Sequence, residues 1–159
     1  MVGIRLRWPV VTRVLASMMA ALALFFGAVG CGGDDSNDEF KDQYNEAVQP
    51  LSSLGDDVVA SLTAEGLSDR ARANQLERLA DGAEQTRRNL SQLEPPDDAA
   101  DKFDQLLAAL KQSVADLRAV GESAREGDPV EADEATRALV ETGKRLREAE
   151  TEFQEAIES

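Results

Sequence analysis

Residues 76–93 read LERLADGAEQTRRNLSQL. Within this stretch Leu76, Leu79, Ala83, Thr86, Leu90 and Leu93 follow one another at alternating steps of three and four. A helical turn holds about 3.6 residues, so these steps return each side chain to one stripe of a helix. A seven-residue repeat kept over this length is a seam along which helices pack together. Directly after it stands Glu94-Pro95-Pro96. Two prolines remove amide donors and clash with the preceding turn, which ends the helix. The spacing predicts a helix over 69–94, with Ser68 or Asp69 as its cap.

The same grammar extends in both directions. Asp97 and Asp98 are placed to cap a third helix, 97–126, whose seam runs Phe103, Leu106, Leu110, Val114, Leu117 and Val120. Gly127-Asp128-Pro129 reads as a turn, with Pro129 suited to the first turn of a fourth helix, 129–158. Its seam is Ala135, Leu139, Leu146, Ala149, Phe153 and Ile157. On the N-terminal side Phe40, Tyr44, Ala47, Leu51, Leu54, Val58 and Leu62 recur at helical steps. They predict a helix over 38–63 with a break near Pro50, ended by Gly66. Short turns between long helices make successive helices antiparallel. The expected fold is therefore all-α, an antiparallel up-and-down four-helix bundle spanning 39–159. Polar residues interrupt the seams too often for any of them to cross a membrane. Phe40 and Phe103, Leu51 and Val114, and Leu90 and Phe153 stand 63 positions apart. A duplicated helical hairpin would produce that echo, and so would heptad regularity alone.

The chain carries 17 basic and 31 acidic residues and no histidine. Three of the bases, Arg5, Arg7 and Arg13, precede position 31, and no acid occurs before Asp34. From Cys31 onward the net charge is −17, which repels the phosphates of nucleic acid. No nucleic-acid partner is expected. A lone cysteine excludes an internal disulfide, leaving helix packing to hold the domain together.

The N-terminal thirty residues have a different composition. A positively charged start, Met1 to Arg13, is followed by the apolar run Val14 to Phe26 and by the small residues Gly27 to Gly30. This is the layout of a secretory signal. An uncleaved membrane helix is the rival reading. It needs about 20 apolar residues, and Trp8-Pro9 before the run and Gly27, Gly30, Gly32 and Gly33 at its end leave this one short.

Ala28-Val29-Gly30-Cys31 resembles the lipobox of bacterial lipoproteins. The resemblance covers this segment alone. It implies that residues 1–30 are a signal peptide, that signal peptidase II recognises Ala28, Val29 and Gly30, and that the Cys31 thiol receives a diacylglyceryl group. Ala28 stands where that family favours leucine. Independent support comes from Cys31 being the chain's single cysteine. Two or three acyl chains give durable membrane attachment without a span. Gly32 to Asp38 contains no apolar residue, so 31–38 reads as the lipidated cysteine plus a flexible acidic tether. Asp34, Ser36 and Asp38 alternate like the start of an EF-hand loop. Glu39 and Asn45 then stand where that loop needs glycine and glutamate, and tether is the preferred reading.

Catalytic residues are not apparent. The absence of histidine removes the commonest general base and every His-metal site. No Gly-rich phosphate loop, Ser-x-x-Lys pair or nucleophile elbow occurs, and the acids fall outside the apolar seams. No metal, no cofactor and no enzymatic activity are expected. The sequence points to a membrane-anchored extracytoplasmic lipoprotein. Its acidic helical domain would contact another cell-envelope protein. The alternative is a binding module for a small cationic or apolar ligand, serving a transporter; the net charge would concentrate cations near its surface.

Overall fold

Pro50 has no amide to donate to a continuing helix, and the first helical segment is broken there. The computed structural model describes residues 35–158. Among these every regular element is helical and no strand occurs. Helix α1 spans Asp35–Val48 and is followed by a single 3-10 turn, Gln49–Leu51. Helix α2 then spans Leu54–Thr63, α3 Asp69–Leu90, α4 Ala100–Glu126 and α5 Pro129–Glu158.

The boundaries follow local chemistry. Helix α2 gives way to a loop in which Gly66 adopts φ +81°, a left-handed conformation open to glycine at no steric cost. Ser68 is extended and its Oγ accepts the Ala71 amide at 3.2 Å, the N-cap of α3. Gly127, at φ +74°, closes α4 with its amide on the Ser123 carbonyl at 3.0 Å. Asp128 Oδ1 then accepts the amides of Val130 and Glu131 at 2.8 and 3.2 Å, opening α5 with Pro129 in its first turn.

Three boundaries depart from the sequence reading. The expected helix over 69–94 stops at Leu90. Pro95 biases Glu94 away from helical angles, and the amides of Gln92 and Leu93 fold back onto Asn89 and Leu90 in tight turns. Asp97 and Asp98 do not cap the third helix. Their stretch is a turn, and Ala99 precedes the helix with no side-chain cap bond. The tether expected over 31–38 overlaps α1, which begins at Asp35.

Helix α4 lies against both α3 and α5, and α1 and α2 lie against α3. The α3–α4 contact is close because small residues line it. A Cβ placed on Gly121 would sit 3.4 Å from the Ala73 carbonyl oxygen. Ala73, Ala80 and Ala83 are buried along the same stripe. Leu76, Ala83, Thr86 and Leu90 of the expected seam are buried, while Leu79 is only half-buried and Ala80 takes the inner position beside it. Around this stripe lie Leu76, Leu90, Leu106, Leu110, Val114, Leu117 and Val120, all buried. Each contributes on the order of 1.5–3 kcal/mol by leaving water. Arg118–Asp81 at 3.0 Å and Arg125–Glu77 at 2.8 Å join α4 to α3, and Lys102–Glu152 joins α4 to α5.

Candidate functional site

The residues to which the sequence assigns chemistry, Ala28, Val29, Gly30 and Cys31, lie outside the described residues, as does the apolar run before them. Inside them, the structure gathers polar and aromatic side chains at three places.

The first is a carboxylate in the core. Asp116 is 8% exposed, which corrects the expectation that every acid lies off the apolar seams. It occupies the inner side of α4 between Ser113 and Val120, where a charge needs partners. The partners are present. Thr142 of α5 donates its hydroxyl to Asp116 Oδ2 at 2.5 Å, and Gln112 donates its amide to Oδ1 at 2.9 Å. Arg145 reaches the Thr142 oxygen at 3.4 Å. A carboxylate on a hydroxyl can in principle activate a nucleophile, but Thr142 is 2% exposed and no substrate can reach its oxygen. The arrangement ties α5 to α4. In the sequence its only trace is the seven-residue step from Leu139 to Leu146, where the fourth seam skips Thr142.

The second is aromatic. Phe40 and Tyr44 of α1, Phe103 of α4 and Phe153 of α5 are buried in one cluster, as their seam positions led one to expect. Ring centroids lie 5.1 Å apart for Phe103–Phe153 and for Tyr44–Phe153, and 5.9 Å for Phe40–Phe103. Phe40 and Phe103 meet edge to face, a favoured aromatic geometry. Beside the cluster, burial pushes Glu150 above the usual carboxylate range. Burial also raises Tyr44, with the Glu150 charge adding to the effect. Asn37 Nδ2 donates to the Ile157 carbonyl at 3.4 Å and ties the start of α1 to the end of α5.

The third is an open hollow of about 440 Å³ on the outer side of α5. It is lined by Lys144, Arg147, Glu148, Thr151, Glu152 and Glu155. Charges of both signs alternate there, and Glu152 is engaged by Lys102. The hollow lies open to solvent, unlike the clefts that bury most of a ligand's surface.

Among the described residues no three metal-ligating side chains come together. No helix among them is long and apolar enough to cross a membrane. No family model matches the chain, and no curated protein or solved structure is significantly similar to it.

Proposed function

We propose that the chain is a lipid-anchored extracytoplasmic protein, cut before Cys31 by signal peptidase II and held at the membrane by acyl chains on Cys31. Its acidic helical domain is non-enzymatic and contacts another cell-envelope protein. The observation that carries this reading is Ala28-Val29-Gly30-Cys31, which follows an apolar run and holds the chain's single cysteine. The fold adds a constraint. Helix α1 begins at Asp35, leaving only Gly32, Gly33 and Asp34 between anchor and domain. Three residues reach about 10 Å at most, so the α1 end of the domain stands close to the bilayer.

The proposed arrangement of the domain is the antiparallel up-and-down four-helix bundle. Its support is the direction of the cross-helix contacts. Along α4 the partner on α3 falls from Asp81 to Glu77 as the position rises from Arg118 to Arg125. On the other side Lys102 meets Glu152 while Asp116 meets Thr142. Phe40 likewise meets Phe153 while Asn37 meets Ile157. In each pair one number falls as the other rises.

Labelling with a palmitate analogue tests the anchor. The wild-type chain incorporates the label and migrates as the processed form, and Cys31→Ser incorporates none. An unlabelled wild-type chain, or a Cys31→Ser chain that stays membrane-bound like the wild type, overturns the anchor. Crosslinking from exposed positions on intact cells then traps a defined protein partner, and a blank result speaks against the partner.

A further inference from the structure

We infer that α1 and α2 form a hinged strap that lifts as one unit from a body of α3, α4 and α5, which stays folded. The body is joined along its length. Its α3–α4 face approaches to backbone contact at Gly121 and Ala73, and two ion pairs bracket it. Its α4–α5 face holds the buried Asp116–Thr142 bond. The strap buries side chains fully only at its two ends. At one end Phe40 and Tyr44 enter the aromatic cluster and Asn37 reaches Ile157. At the other, Arg72 of α3 donates to the Ser61 and Ala64 carbonyls at 3.0 and 3.2 Å, beside buried Leu62. Between these ends Val48, Leu51, Leu54 and Val58 pack against the core but stay half-buried, and Pro50 interrupts the helix.

The Gly66 loop is the pivot. Gly66 is exposed in left-handed geometry, with nothing within 4 Å of its Cβ position. Arg72 clamps the strap next to that pivot, so release begins at the aromatic end. Segments with few buried apolar contacts open at lower free energy than the core, as contiguous units. One consequence rests on the proposed anchor: a lifted strap, about 40 Å long as helix, would carry the body that much farther from the bilayer. The strap itself does not depend on the anchor.

Native-state hydrogen exchange on the purified full chain, followed with added denaturant, tests the strap. Protected amides of α1 and α2 are expected to exchange at least about tenfold faster than those of α4, with a shallower denaturant dependence. Equal rates and equal slopes in the two regions overturn it. Substitutions separate the cases further. Thr142→Val weakens the body in both the closed and the lifted state, so it speeds exchange in α4 and leaves α1 and α2 unchanged. Tyr44→Ala weakens only the closed state and speeds both. Equal acceleration of both regions by Thr142→Val overturns the strap. If that variant fails to fold, Thr142→Ser decides the point in the same way, alongside the wild-type slopes.

Discussion

The first helical segment and α4 are the same length: α1, its 3-10 turn and α2 together match the 27 residues of α4. They are not equally committed to the core. Helix α4 buries an apolar side chain on nearly every turn, from Phe103 through Leu106, Leu110, Val114, Leu117 and Val120 to Ala124. The first segment fully buries only Phe40, Tyr44 and Leu62 among its apolar side chains. Helix content is therefore a poor guide to where stability lies. An uninterrupted helix keeps one stripe in register with two neighbours. A helix broken at Pro50 interrupts its stripe and leaves the apolar residues around the break, Val48, Leu51 and Leu54, only half-buried.

Phe153 is where the two regions meet, so its removal is expected to have the largest effect. The ring is fully buried and lies 5.1 Å from Phe103 of α4 and from Tyr44 of α1. Phe153→Ala leaves a cavity in the shared cluster and should cost about 3–5 kcal/mol of unfolding free energy in urea titration. A loss below about 1 kcal/mol would mean that the first segment collapses freely onto the gap. The contrast with α4 would then be one of mobility rather than of burial.

Thr142→Val probes the body alone. The substitution keeps the shape and removes the hydroxyl that Asp116 accepts from. A hydrogen bond to a charged group contributes about 1.5–3 kcal/mol, and the buried acceptor left behind adds to the loss. Combining Thr142→Val with Asp116→Leu should cost clearly less than the two single losses added together, since the second substitution removes the stranded carboxylate. Strict additivity would mean that the two side chains do not act as a pair.

These residues also mark how far the sequence could be read. Pro50, Gly66, Ser68 and the Gly127-Asp128-Pro129 turn act through their own backbone chemistry. Each break or cap was legible for that reason. The four aromatics were legible because large apolar rings on a repeating stripe have nowhere else to go. Asp97 and Asp98 carry the same cap chemistry as Ser68, yet the geometry imposed by Pro95 and Pro96 places them in a turn. The burial of Asp116 is set by Thr142 on a different helix, 26 positions away. Sequence spacing within one helix holds no record of such a partner. The exchange of Leu79 for Ala80 on the inner side of α3 has a similar origin. Small residues at 73, 80 and 83 let α4 approach, and the larger Leu79 is turned aside.

Glu150→Gln bears on the joint between body and strap, and its effect should be smaller. Burial holds the Glu150 carboxyl above its ordinary range, next to Tyr44 of α1. The folded state thus binds this proton more tightly than the unfolded chain does. Stability from this group is full at low pH and is lost as pH rises through the raised value. A neutral glutamine escapes that loss. The variant should melt above wild type at pH 7, and the difference should shrink on acidification. A lower melting temperature at pH 7 would show that the charged carboxylate is itself a favourable contact of the joint.

Glu84 supplies the smallest effect and a control, because it lies on α3 apart from the helix–helix contacts compared above. Hydrogen bonds from Arg87, at 2.8 and 2.9 Å, and from Arg88, at 3.0 Å, lower its carboxyl to about 2. The attraction of the two guanidinium charges adds to this, and partial burial opposes it. The folded value lies below that of an unfolded glutamate, near 4.3. The contribution is therefore complete above that value and lost as pH falls toward about 2. The depth of the depression overstates the gain, because Arg88 is 63% exposed and water screens its charge. Helix pairs at this spacing are worth about 0.2–0.5 kcal/mol each, so Glu84→Gln should cost about 0.5–1 kcal/mol at pH 7. The deficit should begin to shrink below about pH 4 and largely vanish only at about pH 2. Hydrogen exchange sharpens its use as a control. Lying in the body, the substitution should speed α4 exchange slightly and leave α1 and α2 untouched, as Thr142→Val does on a larger scale. Acceleration of α1 and α2 by Glu84→Gln would mean that the two regions unfold together, and the contrast between them would reduce to one of burial alone.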